Sequence, residues 1–233
     1  VRGLVAIVVA GFACATATAA TPPSCSRVEP AAMSDSAECR RRFDAATPET
    51  LLAEAETRTR AGDFEIAEAA LGCAAAALGD RADDVLRYDW VRRHGVLAYR
   101  RERIPEALSR FECALRLSDA RGDRVAAARD LRNIGTALRR LGDYPGALRA
   151  LTRSLELQRA AGTVDGAALN NIADVYRDLR EPGDAMRFYR EALAAMRAKG
   201  EPSEAAHVLE SMAELALDTG DPAQALRWQA QAL

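Results

Sequence analysis

Two histidines, five cysteines and a dense set of arginines and carboxylates are what this sequence offers for chemistry. Neither histidine belongs to a metal-ligand cluster, and neither a Gly-x-Ser-x-Gly elbow nor a phosphate-cradling glycine loop is present. Gly142-Asp143-Tyr144-Pro145-Gly146 reads as a turn between helices. His94 takes a position of large apolar residues and is expected in the core, and His207 stands alone on a helix. No catalytic residue, metal or cofactor is therefore expected, and an enzyme domain could lie only beyond residue 233. What the polar residues can do is bind: guanidiniums grip carboxylates two oxygens at a time, and an asparagine both donates to and accepts from a peptide backbone.

The elements that carry these residues follow a helical period. Leu131, Ile134, Gly135 and Leu138 form one stripe, Gly142-Asp143 stops it, and Ala147, Leu151 and Ser154 restart it after Tyr144-Pro145. Ala67, Ala107, Ala147, Ala185 and Ala225 share one register, 40, 40, 38 and 40 residues apart. Leu71, Phe111, Leu151, Tyr189 and Gln229 follow four residues on, and Ala74, Ala114, Ser154, Ala192 and Ala232 three beyond those. A period this regular is that of a solenoid, and small residues alternate with large ones so that neighbouring helices interlock. The expected fold is all-α: a right-handed α-solenoid of about five antiparallel helix pairs over residues 47–233, with units starting near 48, 88, 128, 166 and 206.

At these positions the chain resembles the tetratricopeptide repeat family, in its longer, kinesin-light-chain-like variety. Unit three carries the resemblance through Leu131, Ile134-Gly135, Leu138, Ala147 and Leu151, and unit four through Leu169, Ile172-Ala173, Tyr176, Ala185, Tyr189 and Ala192. The usual period of the family is 34 residues, and here the second helices are longer. Gly79, Gly122, Gly162 and Gly200 replace the proline that usually closes a repeat. The resemblance implies a protein-binding or peptide-binding module whose first helices line a concave groove. At 100° per residue, the face opposite the core stripe carries Arg93 and Arg100 in unit two and Arg129, Asn133 and Arg140 in unit three. It carries Asn171, Asp174 and Asp178 in unit four, and Glu214 and Asp218 in unit five. The groove is thus expected to run from basic to acidic, with Asn133 and Asn171 holding a peptide backbone. Ordinary solvated helix faces, or self-association in antiparallel register, are the alternatives.

A net charge of −2, with Lys199 the only lysine among 32 basic residues, gives no footprint for nucleic acid. The N-terminus is of another kind. Arg2, the apolar run Leu4 to Ala15 and the small residues Ala17 to Ala20 resemble a secretory signal peptide over residues 1–20; an uncleaved anchor and a lipoprotein site at Cys14 are the alternatives. Residues 21–46 form a linker with a short helix near Ser36 to Phe43. Export leaves Cys25, Cys39, Cys73 and Cys113, and four cysteines allow three pairings. Cys73 and Cys113 lie one repeat apart, too far to pair, and are expected as small core residues; Cys25 with Cys39 is the expected disulfide. The sequence stops inside a second helix at Leu233, and a continuation is expected. These features together suggest the periplasmic sensory part of a membrane signalling protein, of the diguanylate cyclase or histidine kinase type, attached to the membrane through that continuation. The alternative is a stand-alone adaptor of the cell envelope.

Overall fold

Eleven helices follow one another in the computed structural model, which describes residues 25, 36–43, 47–79, 83–164 and 166–232. Residues 1–20, and with them the expected leader and Cys14, lie outside the described residues. A short helix, α1 (Ser36–Phe43), precedes five antiparallel pairs: α2 (Pro48–Ala61) with α3 (Phe64–Leu78), α4 (Asp84–Arg100) with α5 (Ile104–Ala120), and α6 (Arg124–Arg140) with α7 (Tyr144–Ala160). The last two pairs are α8 (Gly166–Asp178) with α9 (Pro182–Lys199) and α10 (Pro202–Asp218) with α11 (Pro222–Ala232). No strand occurs among the described residues. The all-α solenoid expected from the alanine register is what forms.

Caps set the helix starts. Asp83 accepts from the amides of Val85 and Leu86, Asp123 from that of Ala126, and Asp143 from that of Gly146, each satisfying amides that a first helical turn leaves without a partner. The first helices of units two and three begin about a turn before the expected points, because the capping aspartate precedes the first apolar residue of the stripe. In unit five, Pro202 at the head of α10 has the same effect. The turns inside the pairs repeat as well. Gly62, Glu102, Gly142, Arg180 and Gly220 all have positive φ, in the same 40, 40, 38, 40 spacing as the alanines. Two of these five left-handed positions hold a side chain, which costs about 1 kcal/mol where glycine would be free.

First helices approach one another along the stack, α2 to α4, α6 to α8 and α8 to α10, whereas second helices are joined chiefly through the next first helix. Helices α2, α4, α6, α8 and α10 therefore form one row, on the face that the family resemblance expects to be concave. Behind them Ala67, Ala107, Ala147 and Ala185 are completely buried, each letting its pair close. Large residues fill the remaining space: Leu71, Phe111, Leu151 and Tyr189 are all 2% exposed or less. Among the described glycines the closest fit between two helices is at Gly135, where an added Cβ would stand 2.5 Å from Leu151 Cγ and 2.8 Å from its Cδ2. Gly135→Ala should therefore destabilise the chain by about 1–2 kcal/mol, overpacking outweighing the roughly 1 kcal/mol gained in helix propensity. Urea unfolding measures it; a variant as stable as the parent would mean that Leu151 has room to yield.

The cysteines do not pair as expected. Cys25 is bonded to Cys113, with Cα atoms 5.5 Å apart, and Cys39 to Cys73, with Cα atoms 5.6 Å apart. Cys73 and Cys113 are buried core residues that do not meet each other, as their repeat spacing requires. What pairs them is α1, which packs on α3 and sets Cys39 against Cys73, while Cys25 reaches one unit further to α5. A local Cys25–Cys39 link would have left two thiols in the core and the N-terminal segment unattached.

Candidate functional site: a groove on the first helices

The basic half of the concave face forms a groove of about 340 Å³ between α2, α4 and α6. Six arginines line it, Arg60, Arg92, Arg93, Arg100, Arg129 and Arg132, with Asn133 among them and Glu56 as the one lining carboxylate. Of the expected groove residues, Arg93, Arg100, Arg129 and Asn133 are brought together here. Arg93 is anchored: its guanidinium donates to the Leu52 carbonyl at 3.0 Å, pairs with Glu56 and lies 3.7 Å from Asp89. Arg92 lies 3.6 Å from Asp89, and these two side chains are only 13% and 16% exposed. The Nε atoms of both are buried without a hydrogen-bond partner. Arg100 leans on the Arg60 carbonyl at 3.3 Å. Glu56 in the lining, Asp89 beside it and Asp130 behind it are fewer than the lining guanidiniums of Arg60, Arg92, Arg93, Arg100 and Arg129, so the groove presents fixed donors and positive charge in a partly desolvated setting, where an anion is held more strongly than on an open surface.

The other expected groove residues separate. Arg140 lies outside this groove, paired with Glu102 at the turn of unit two. Asp174 faces inward, accepting from the Tyr189 hydroxyl at 2.6 Å and lying 3.7 Å from Arg139; burial raises its pKa above the ordinary carboxylate range. Asp178, Glu214 and Asp218 do come together, with Arg177, Arg180 and Tyr144, around a depression of about 540 Å³ at the C-terminal ends of α8 and α10. Two of these acids are already engaged, Asp178 by Arg139 at 3.0 Å and Glu214 by Arg177 at 2.5 Å. Asn171 donates to the Thr136 hydroxyl at 2.9 Å and borders a third depression. The far half of the face is therefore mixed in charge and internally paired, not simply acidic.

Two features escape a helical-face calculation. The first is a ladder of ion pairs joining successive units: Arg93 with Glu56, Arg140 with Glu102, Arg139 with Asp178 and Arg177 with Glu214, partners 37, 38, 39 and 37 residues apart. The signal was legible, because complementary charges recur at about one repeat. The second is a buried cluster in which Asp130, completely enclosed, accepts from Tyr88 at 3.1 Å and from Ser118 at 3.0 Å, tying α4, α5 and α6 together behind the basic groove. Burial pushes the pKa of Asp130 up to about 6 against the opposing effect of its two hydrogen bonds. His94, beside Trp90 in the same region, is pushed down to about 4, first by burial and then by Arg110. Among the described residues no group of histidine, cysteine and acidic side chains could hold a metal ion, and no helix is long and apolar enough to cross a membrane.

The tetratricopeptide repeat family model matches residues 89–160 and 165–233. No curated protein sequence matches the chain. Among solved structures, BtubC (BKLC) from P. vanneervenii is similar over 84% of this chain and 85% of its own, at 23% identity and a TM-score of 0.63. A putative kinesin light chain of Podosopora anserina, with nearly identical TPR-like repeats, matches 79% of this chain and 92% of its own, at 12% identity and a TM-score of 0.60. Aspartyl phosphate phosphatase F from Bacillus subtilis matches 84% of this chain but 53% of its own, at 12% identity and a TM-score of 0.68. At such identities the likeness concerns the fold.

Proposed function

The chain belongs to the tetratricopeptide repeat family, and on that premise we propose that its concave face docks an extended segment of a protein partner, with an acidic stretch or a chain terminus in the arginine groove of α2, α4 and α6. A module of this family is an interaction scaffold, and the observation that carries the finer reading is the gathering of six guanidiniums and Asn133 around one lining carboxylate. Carboxylates suit this lining because each guanidinium offers two parallel donors, and Asn133 can serve the backbone between them.

The test uses fluorescein-labelled oligoglutamate as the probe, with an oligoglutamine of equal length as control. Binding of the acidic peptide should fall steeply with salt. Charge reversal at Arg100 and Arg129 should slow association roughly tenfold at low salt and flatten that dependence, and Asn133→Ala should speed dissociation by an amount worth about 1 kcal/mol. If both peptides bind alike, or if neither substitution matters, the groove is not the docking surface. Sedimentation of the protein alone at rising concentration separates partner binding from self-association.

We further infer that the module works outside the cytoplasm. Two disulfides that anchor α1 and Cys25 to the first two units support an oxidising compartment, and the apolar run with its Ala-x-Ala ending in residues 1–20 supports export. In that setting the groove would act as the periplasmic input part of a membrane signalling protein, or else as a free-standing envelope adaptor. Coding sequence after Leu233 distinguishes the two: an apolar span followed by a cyclase or kinase domain marks the first.

A further inference from the structure

We infer that the depression between the starts of α8 and α10 is a receptor for a cationic side chain, a lysine ammonium or an arginine guanidinium. It measures about 320 Å³ and is lined by Met196 of α9, with Ala167, Asn170 and Asn171 on one wall and Ser203, Glu204 and His207 on the other, His207 lying 3.5 Å from Glu210. Asn133 borders the arginine groove and Asn171, its counterpart one repeat on, borders this pocket, so both open on the same concave face.

The polar groups are set for a donor. Asn170 is 6% exposed, yet its carbonyl Oδ1 is buried with no hydrogen-bond partner. A buried amide oxygen is costly when left unpaired, and only a group that donates can relieve it. One amide N–H of Asn171 goes to Thr136, which leaves its carbonyl oxygen as an acceptor. Glu204 adds a negative charge. The start of α10 would by itself favour an anion, but Glu204 already sits in that first turn and complements it. Ala167 and Met196 supply the apolar surface along which the methylene stem of lysine or arginine lies while its head finds oxygen. An unpaired acceptor, a carboxylate and an apolar wall in one recess describe a binding site for a long side chain with a cationic end. The groove reading enters only in naming a partner chain as the source of that side chain; the chemistry of the pocket stands apart from it.

The experiment titrates the full chain, labelled with 15N, with the methylamide of Nα-acetylarginine, the corresponding lysine compound, and the norleucine compound as an uncharged stem. The side-chain amide resonances of Asn170 and Asn171 should shift saturably with the first two and not with the third. Asn170→Leu, which keeps the shape and removes the acceptor, should weaken binding roughly tenfold, the effect expected from loss of one charge-assisted hydrogen bond. It should leave the Tm unchanged or higher, because an unpaired buried oxygen is gone. Glu204→Gln should weaken binding by several-fold with no change in Tm. The assignment is overturned if the arginine and lysine probes produce no saturable shift, if norleucine shifts the same resonances equally, or if Asn170→Leu lowers the Tm sharply and leaves binding intact. Failure of oligoglutamate to bind the arginine groove would leave each of these outcomes unaffected, so the two proposals fail separately.

Discussion

Loss of the Cys25–Cys113 disulfide is expected to be the most destabilising single change in the chain. The bond closes a loop of 88 residues and the Cys39–Cys73 bond one of 34. On chain-entropy grounds such loops are worth roughly 4.5 and 3.8 kcal/mol, and native disulfides commonly deliver about 2–5 kcal/mol. The shorter loop lies inside the longer, so the two contributions overlap and their sum overstates the joint effect. Because each repeat touches mainly its neighbours, the damage should be local: α1 to α5 loosen while α8 to α11 hold. Cys25→Ala with Cys113→Ala should therefore split a single urea transition into two, and hydrogen exchange should quicken in α3 and α5 before α9. An unshifted transition on reduction would mean that packing of α1 against α3 suffices by itself. The same bonds test export: thiol trapping of the chain in its producing cell should find four protected cysteines, and reactive thiols there would contradict a periplasmic site.

The fold was legible because its determinants are periodic. Ala147 and its counterparts are selected by a contact that every unit makes, and one contact repeated five times leaves its spacing in the sequence. Disulfide connectivity has no such period. It depends on where α1 lies, and nothing in Ser36 to Phe43 indicates that its cysteine will face α3. The groove was legible by half. A face computed from Cα directions groups Arg93, Arg129 and Asn133, and these three do line one depression, since they project from the middle of the row of first helices. It misplaces Asp174, because a side chain of modest length on the flank of a helix goes where its strongest partners are, and Tyr189 and Arg139 lie behind. It also omits Arg60 and Glu56, since unit one lacks the apolar pattern that would have fixed its register. The ion-pair ladder shows what a one-unit calculation leaves out: in a solenoid the neighbour of a charge is the position one repeat away.

In the buried region behind the basic groove, two ionisable groups are expected to oppose each other as pH changes. Asp130 has a folded pKa of about 6 against an ordinary value of 3.8, so the folded chain holds its proton more tightly than the unfolded one. Its contribution is fully present below pH 3.8 and is lost as pH rises through 6. For His94, at about 4 against 6.5, the folded chain resists the proton, so its contribution is present above pH 6.5 and is lost as pH falls through 4. Each shift of two units or a little more corresponds to about 3 kcal/mol by proton linkage. Over pH 4 to 6.5 the two slopes have opposite sign and largely cancel. Removing one should expose the other. His94→Leu, which restores the apolar residue that other units carry there, should give a chain whose advantage over the parent is greatest near pH 4 and gone by about pH 6.5. Asp130→Asn, which keeps the hydrogen-bonding shape between Tyr88 and Ser118, should gain on the parent as pH rises from 4 to 6. Urea midpoints of parent and variants across this range give the differences directly, and carboxylates common to all chains drop out of the subtraction. A stability difference that stays level from pH 4 to 6.5 would show that the substituted group does not change its protonation on folding, and that its burial is tolerated by the core in some other way.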